Sequence, residues 1–111
     1  MEIKDIINFE EFEKIDLRIG KIIEAERMEG SDKIIKTLID LGEEKRQVLA
    51  GIGKYYAPED LINKDVVVVV NLLPRKIMNL ESQGMILAVK DEENLSFLTT
   101  DKKIKNGSKI S

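Results

Sequence analysis

The sequence contains no cysteine, no histidine and no tryptophan. Without cysteine there is no disulfide and no thiol nucleophile. Without histidine, the commonest metal ligand and the side chain best suited to proton transfer near neutral pH are both missing. Catalysis would have to rest on carboxylates, lysines or hydroxyls, so a protein that is not an enzyme, with no metal and no cofactor, is expected. Aromatics are scarce: three Phe and two Tyr make 5% of the residues. Domains that hold single-stranded nucleic acid line a groove with stacking aromatics, and this chain has few to spare. No apolar run approaches the ~20 residues that span a membrane. The first residues, "MEIKDIINFEEFEK", are charged from position 2 onward, unlike a secretory signal. A cytoplasmic protein is expected. An excess of positive charge is also lacking, with 18 basic against 21 acidic residues and a net charge of −3. A general nucleic-acid coat protein would be basic, so any surface for nucleic acid must be local.

What is present suits one compact domain over residues 1–111. Asn8 stands three residues before Glu11, just ahead of Phe12, close to a capping-box pattern. A helix of about two turns is expected from Phe9. Asp16 to Met28 starts with clean alternation, interrupted at Gly20. A Gly inside a strand pattern suggests a bend or bulge, and a long bent strand can serve two sheets of a small barrel. Ile35, Thr37, Ile39 and Leu41 then share one face of a second strand. After a hairpin connection at Gly42 to Lys45, Val48, Ala50 and Ile52 point inward from a third. Pro58, followed by Glu59 and Asp60, fits the first turn of a short helix. The run Val66 to Val70 lacks alternation and reads as a strand buried on both faces. "GMILAVK" (84–90) reads as a fifth strand, "DEEN" as a turn and "LSFLTT" as a shorter sixth. Several short strands separated by turns argue for a barrel or a sandwich, and the order meander, helix, hairpin fits an all-β, five-stranded OB-fold barrel best. The barrel carries a short N-terminal helix, a short helix between strands 3 and 4, and a C-terminal strand extension.

Two apparent motifs fade on inspection. "AGIGK" (50–54) lacks the phosphate-loop spacing, and "DEEN" lacks the twelve-residue calcium pattern. Adjacent Tyr55 and Tyr56 point to opposite sides of an extended segment, one to pack and one to be exposed. The richest chemistry lies in "NLLPRKIMNLESQGMILAV" (71–89). Pro74 sets a turn. Arg75 offers a planar fork to a phosphate and Lys76 a point charge. Ser82 and Gln83 add neutral donors and acceptors, and Gly84 lets a backbone approach closely. On chemistry alone this stretch is equally a solvated loop and a binding surface. With so few aromatics, any binding would be to a folded shape and its phosphates rather than to splayed bases.

The stretches "FEEFEKIDLRIGKIIEAE", "SDKIIKTLIDLGEEKRQVLAGI", "YAPEDLINKDVVVVVNLLPRKIMNLESQGMILAV" and "NGSKI" resemble the tRNA-binding domain of methionyl-tRNA synthetases. That domain occurs at the synthetase C-terminus, as a β subunit and as a stand-alone protein. "NLLPRK" and "ESQGM", in that order and spacing, carry most of the resemblance. It implies an OB-fold homodimer without catalytic activity, which grips the outer corner of folded tRNA. It also implies a partner, the catalytic subunit of methionyl-tRNA synthetase, for which the domain raises the local tRNA concentration. Carried over position by position, the family's site falls on Lys33, Asn71, Arg75, Lys76, Ser82, Gln83 and Met85. Met85 is equally placed to be a core residue of the fifth strand. The resemblance breaks at Ile77 to Leu80, where relatives commonly have a basic residue and a Gly. An export-related chaperone-like dimer shares the fold, but typically loses the Gln-Gly pair retained here at Gln83-Gly84. A purely structural dimerisation module for a synthetase is a third reading.

Overall fold

The structure is a computed structural model that describes residues 1–111. In chain order it has a helix α1 (Phe9–Phe12) and strands β1 (Leu17–Arg27), β2 (Ile35–Asp40) and β3 (Lys45–Ala50). A 3-10 turn (Pro58–Asp60) precedes β4 (Asp65–Val69), β5 (Arg75–Ile77) and β6 (Leu80–Ser82). The short strands β7 (Met85–Ile86), β8 (Ala88–Lys90), β9 (Leu95–Phe97) and β10 (Lys109–Ile110) complete the chain. The main sheet runs β3-β2-β1-β4-β7, with β10 added to β1, and curls into a nearly closed all-β barrel of the expected OB type.

β1 is the pivot. Leu17–Lys21 pair with β4, and Lys21–Arg27 pair with β2. One strand therefore serves both halves of the barrel, as its broken alternation suggests. The irregularity is not at Gly20, however. The register slips between Ile22 and Glu24, so Ile23 is the extra residue. Gly20 serves packing instead: a Cβ there would stand 2.5 Å from Ile39 Cγ2 and 2.9 Å from Leu41 Cδ2.

The core is built from β-branched residues, which fit a pleated, buried surface. Ile22, Ile35, Ile39, Val48, Val66 and Val68 are fully buried around Leu61. Val66 to Val69 are all buried, as the missing alternation requires. The inward set Ile35, Thr37, Ile39 and Leu41 is buried as expected, and the Thr37 hydroxyl donates to Val48 O at 2.7 Å. β3 ends at Ala50, before the expected inward residue Ile52; Val48 and Ile52 are buried but Ala50 only partly, and Leu49 on the other face is buried too. Tyr56 stacks on Phe97 at 4.5 Å while Tyr55 stays exposed beside Lys90.

Three expected elements differ. Asn8 Oδ1 accepts from Glu11 N at 2.9 Å, yet α1 is one turn rather than two. No residue of α1 is buried, and short helices depend on packing for their stability. The expected fifth strand over 84–90 is split at Leu87. Its N–H donates to Val67 O at 2.9 Å and its carbonyl accepts from Leu98 N at 3.3 Å, so the chain passes there from β4 to β9. The stretch 75–82, read as a turn and a polar connection, is a β-hairpin: Arg75 faces Ser82, Lys76 faces Glu81 and Ile77 faces Leu80.

Candidate nucleic-acid interface

The polar stretch acts first on the barrel itself. β2 covers one edge of β3 with six registered residue pairs. The other edge meets residues 81–84 mainly through side chains. Leu49 N donates to Ser82 Oγ at 3.0 Å and Gln47 N to Gln83 Oε1 at 3.0 Å. In return Gln47 Nε2 donates to Glu81 O at 2.8 Å, and Gln83 N donates to Gln47 O at 2.8 Å. The Ser82 hydroxyl also donates to Gly84 O at 3.1 Å. Buried N–H groups need acceptors, and here a hydroxyl and an amide stand where a neighbouring strand's carbonyls would be. Gly84 permits the closure, because a Cβ would lie 2.9 Å from Val69 O.

This sorts the site residues carried over from the resemblance. Ser82 is buried, with its hydroxyl engaged on both sides. Gln83 is exposed, but its Oε1 is committed to β3. Asn71 is exposed and staples two segments: its Oδ1 accepts from Asp16 N at 2.8 Å and its Nδ2 donates to Lys14 O at 2.6 Å. Met85 is 45% exposed while its neighbour Ile86 turns into the barrel, so Met85 is not a core residue.

Arg75, Lys76 and Lys33 are exposed and take part in none of the four ion pairs of the structure. Arg75 and Lys76 do not lie side by side. Successive strand residues point to opposite faces, so Arg75 shares a face with Ile77, Leu80 and Ser82, and Lys76 shares the other with Glu81. The hairpin thus carries a cation on each face. Its tip reaches the turn between β1 and β2, where a methyl on Gly30 would stand 3.7 Å from Met78 Cε. Lys33 follows that turn and runs beside Gly51. The hairpin tip and Lys33 are thus connected through the Gly30 turn, whereas Asn71 and Met85 lie toward the β4 end of the seam.

Two contributors escape a reading of the sequence alone. Arg46 donates to Val70 O, to Gln83 O (3.3 Å) and to Glu44 Oε1 (2.9 Å), tying the exit of β4 to the seam. Gln47 supplies the β3 half of the clamp. Outward residues of an alternating strand signal exposure, not which edge will meet a distant segment. A concavity of about 650 Å³ lies elsewhere, at the barrel end between Arg18, Arg46 and the Lys105–Ser108 strap. Its cations are matched by Asp16, Glu43 and Glu44, with Arg18 2.7 Å from Asp16. The hydrogen bond from Arg18 holds the Asp16 carboxyl below its ordinary value and raises Arg18 in turn. Charge-balanced, that groove does not suit a polyanion.

A family model, that of the tRNA binding domain, matches residues 17–109. The chain belongs to the tRNA-binding domain family. It is 55% identical over 107 residues to the methionine–tRNA ligase of Caldanaerobacter subterraneus, and 52% identical over 105 residues to that of Methanocaldococcus jannaschii. These alignments cover 96% and 94% of this chain but only 17% and 16% of the ligases, so the chain spans about a sixth of their length. Among solved structures, a MetRS-related protein from Pyrococcus horikoshii superposes with a TM-score of 0.91 at 29% identity. That match covers 97% of this chain and all of the other. The chaperone CsaA of Bacillus anthracis superposes at 0.86 with 37% identity, covering 96% of this chain and all of its own. In this family the domain is a binding module rather than a catalytic one.

Proposed function

We propose that the protein binds folded tRNA at its outer corner, as a homodimer in the cytoplasm, and presents it to the catalytic part of methionyl-tRNA synthetase. The observation that carries this reading is the hairpin. In a net-acidic chain, Arg75 and Lys76 project from a ribbon clamped to β3, neither engaged in an ion pair although Glu81 stands across from Lys76, and the ribbon's tip reaches the Gly30 turn that precedes Lys33. Unpaired cations on a fixed frame recognise a fixed arrangement of phosphates, which is shape rather than sequence. Arg75, Lys76 and Lys33 contact phosphates, and exposed Met85 supplies an apolar contact. Ser82, Gln83 and Asn71 serve chiefly by holding this surface in shape, since their polar atoms already bind the barrel.

The dimer is supported by the N-terminal segment. Ile3, Ile6 and Phe9 are 82%, 98% and 70% exposed, and Leu73 is 89% exposed. Apolar side chains left this open mark an interaction surface, and a second copy offers the same segment in return. Sedimentation of the wild type and of an Ile6→Asp, Phe9→Asp double variant tests this. A wild-type monomer would sink the dimer.

Binding to folded tRNA, heat-unfolded tRNA and single-stranded RNA of equal length tests the recognition mode. Folded tRNA should bind tightest, and equal affinity for all three would defeat shape recognition. A second reading, a chaperone, draws on the CsaA likeness at 37% identity over nearly the whole chain. Suppression of client aggregation that tRNA does not compete away would favour it.

A further inference from the structure

The tip of the β5–β6 hairpin is unusual for its turn. Met78 and Asn79 are the two central residues, with φ of +50° and +70°. A two-residue hairpin turn with both φ positive favours Asn and Gly, and a long side chain such as Met is disfavoured there. Met78 is 46% exposed, yet its terminal methyl lies by the turn between β1 and β2. A methyl on Gly30 would lie 3.7 Å from Met78 Cε. Gly30 itself has φ +84°, so a side chain there would strain the backbone.

Every hydrogen bond that fixes the hairpin to the barrel lies at its base. Glu81 O, Ser82 Oγ and Gln83 are bound to β3. Residues 76–80 make no hydrogen bond beyond the β5–β6 pairing. The tip is held by apolar contacts instead: Ile77 and Leu80 are partly buried at its neck, and Met78 reaches beyond them to the Gly30 turn.

We infer that Met78 is a positioning residue, whose thioether docks the hairpin tip on the Gly30 turn and fixes Arg75 and Lys76 relative to Lys33. This rests on the tRNA reading above. The flexible thioether suits an irregular contact over a glycine. Lys33 stands three residues beyond Gly30, on a different element from the hairpin. Docking makes two separate elements one rigid frame, so less freedom is lost when an equally rigid polyanion binds.

The decisive variants are Met78→Asn, which suits the turn but lacks the thioether, and Met78→Leu, which keeps an apolar contact. Amide exchange across residues 75–82 is measured without RNA, and affinity by titration with folded tRNA. Met78→Asn should speed exchange near the tip and weaken tRNA binding roughly three- to tenfold. Its melting temperature should not fall, and Met78→Leu should recover both readouts. Unchanged exchange in Met78→Asn overturns the docking. Faster exchange with unchanged affinity overturns the positioning role, since a merely structural contact would give that result. If the wild type itself bound no tRNA, the functional reading would fall, and RNA-free exchange would still decide whether Met78 docks.

Discussion

The two edges of β3 are covered in different ways. On one side β2 runs antiparallel through six residue pairs, in a backbone ladder backed by Ile35, Ile39 and Val48. On the other side the partner is a three-residue strand and a polar turn, and Ser82 and Gln83 lend side-chain oxygens where backbone carbonyls do not reach. The first edge is held by buried apolar volume, where hydrophobic swaps that conserve volume usually cost little. The second is held by hydrogen-bond geometry and requires particular residue types. Polar signature residues can therefore look like ligand contacts in sequence while serving the frame of the barrel.

That contrast can be broken from either side. Ile39→Ala attacks the ladder edge and should cost about 3–4 kcal/mol in urea denaturation. The fraction that stays folded should bind tRNA normally, and a loss of affinity per folded molecule would show that the edges are not independent. Ser82→Ala attacks the seam. It leaves the buried Leu49 N–H without its acceptor and should cost about 2 kcal/mol. A cost no larger than that of an exposed serine would mean that the hydroxyl does not hold the seam. Replacing both Arg75 and Lys76 by Ala touches neither edge. Stability should stay within about 0.5 kcal/mol, while the salt dependence of log K for tRNA becomes shallower by roughly 1.4 to 1.8. An unchanged slope would move the phosphate contacts elsewhere. Gln83→Ala should lower stability by less than about 1 kcal/mol, because the Gln47 N–H it exposes can turn to water. A loss equal to that of Ser82→Ala would erase the distinction between buried and exposed halves of the seam.

The smallest effect concerns the charged groove at the barrel end. Arg18 holds the Asp16 carboxyl below its ordinary value of 3.8. A depressed carboxyl contributes stability that is complete above that value and fades as pH falls through the folded pKa. Asp16 is a third exposed, so solvent screens the pair and the contribution is small. Thermal melts of wild type and Arg18→Met should differ most above pH 3.8 and draw together in stronger acid. A gap that does not change with pH would mean that Arg18 acts through packing alone.

Much of this architecture was legible. β2, β3 and β4 announce themselves through alternation or its absence, because a period of two maps directly onto the two faces of a sheet. The Asn8 cap, the proline-led turn at Pro58 and the divided roles of Tyr55 and Tyr56 follow from local chemistry. The β5–β6 hairpin was not legible. Its turn is Met78-Asn79, which lacks the Asn-Gly signature, and its strands are only three residues long. Nor could the break of the fifth strand at Leu87 be seen, since it is set by which neighbours offer partners to one N–H and one carbonyl. Of the site residues, Arg75, Lys76 and Lys33 are exposed cations as expected. Ser82, Gln83 and Asn71 were identifiable as special, but not as clamps.

By itself the sequence determined the class of the protein. Its short alternating strands and the proline-led turn at Pro58 pointed to a small all-β domain, and the absence of cysteine, histidine and broad positive charge left it only local chemistry. The order of "PRK" and "SQGM" set its family resemblance. Tertiary structure alone decided what those residues do. Whether a serine oxygen faces solvent or a buried N–H depends on which distant strand edge lies unpaired beside it. Here the N–H groups of Gln47 and Leu49 do, and they take Gln83 and Ser82 for the barrel while Arg75 and Lys76 stay exposed.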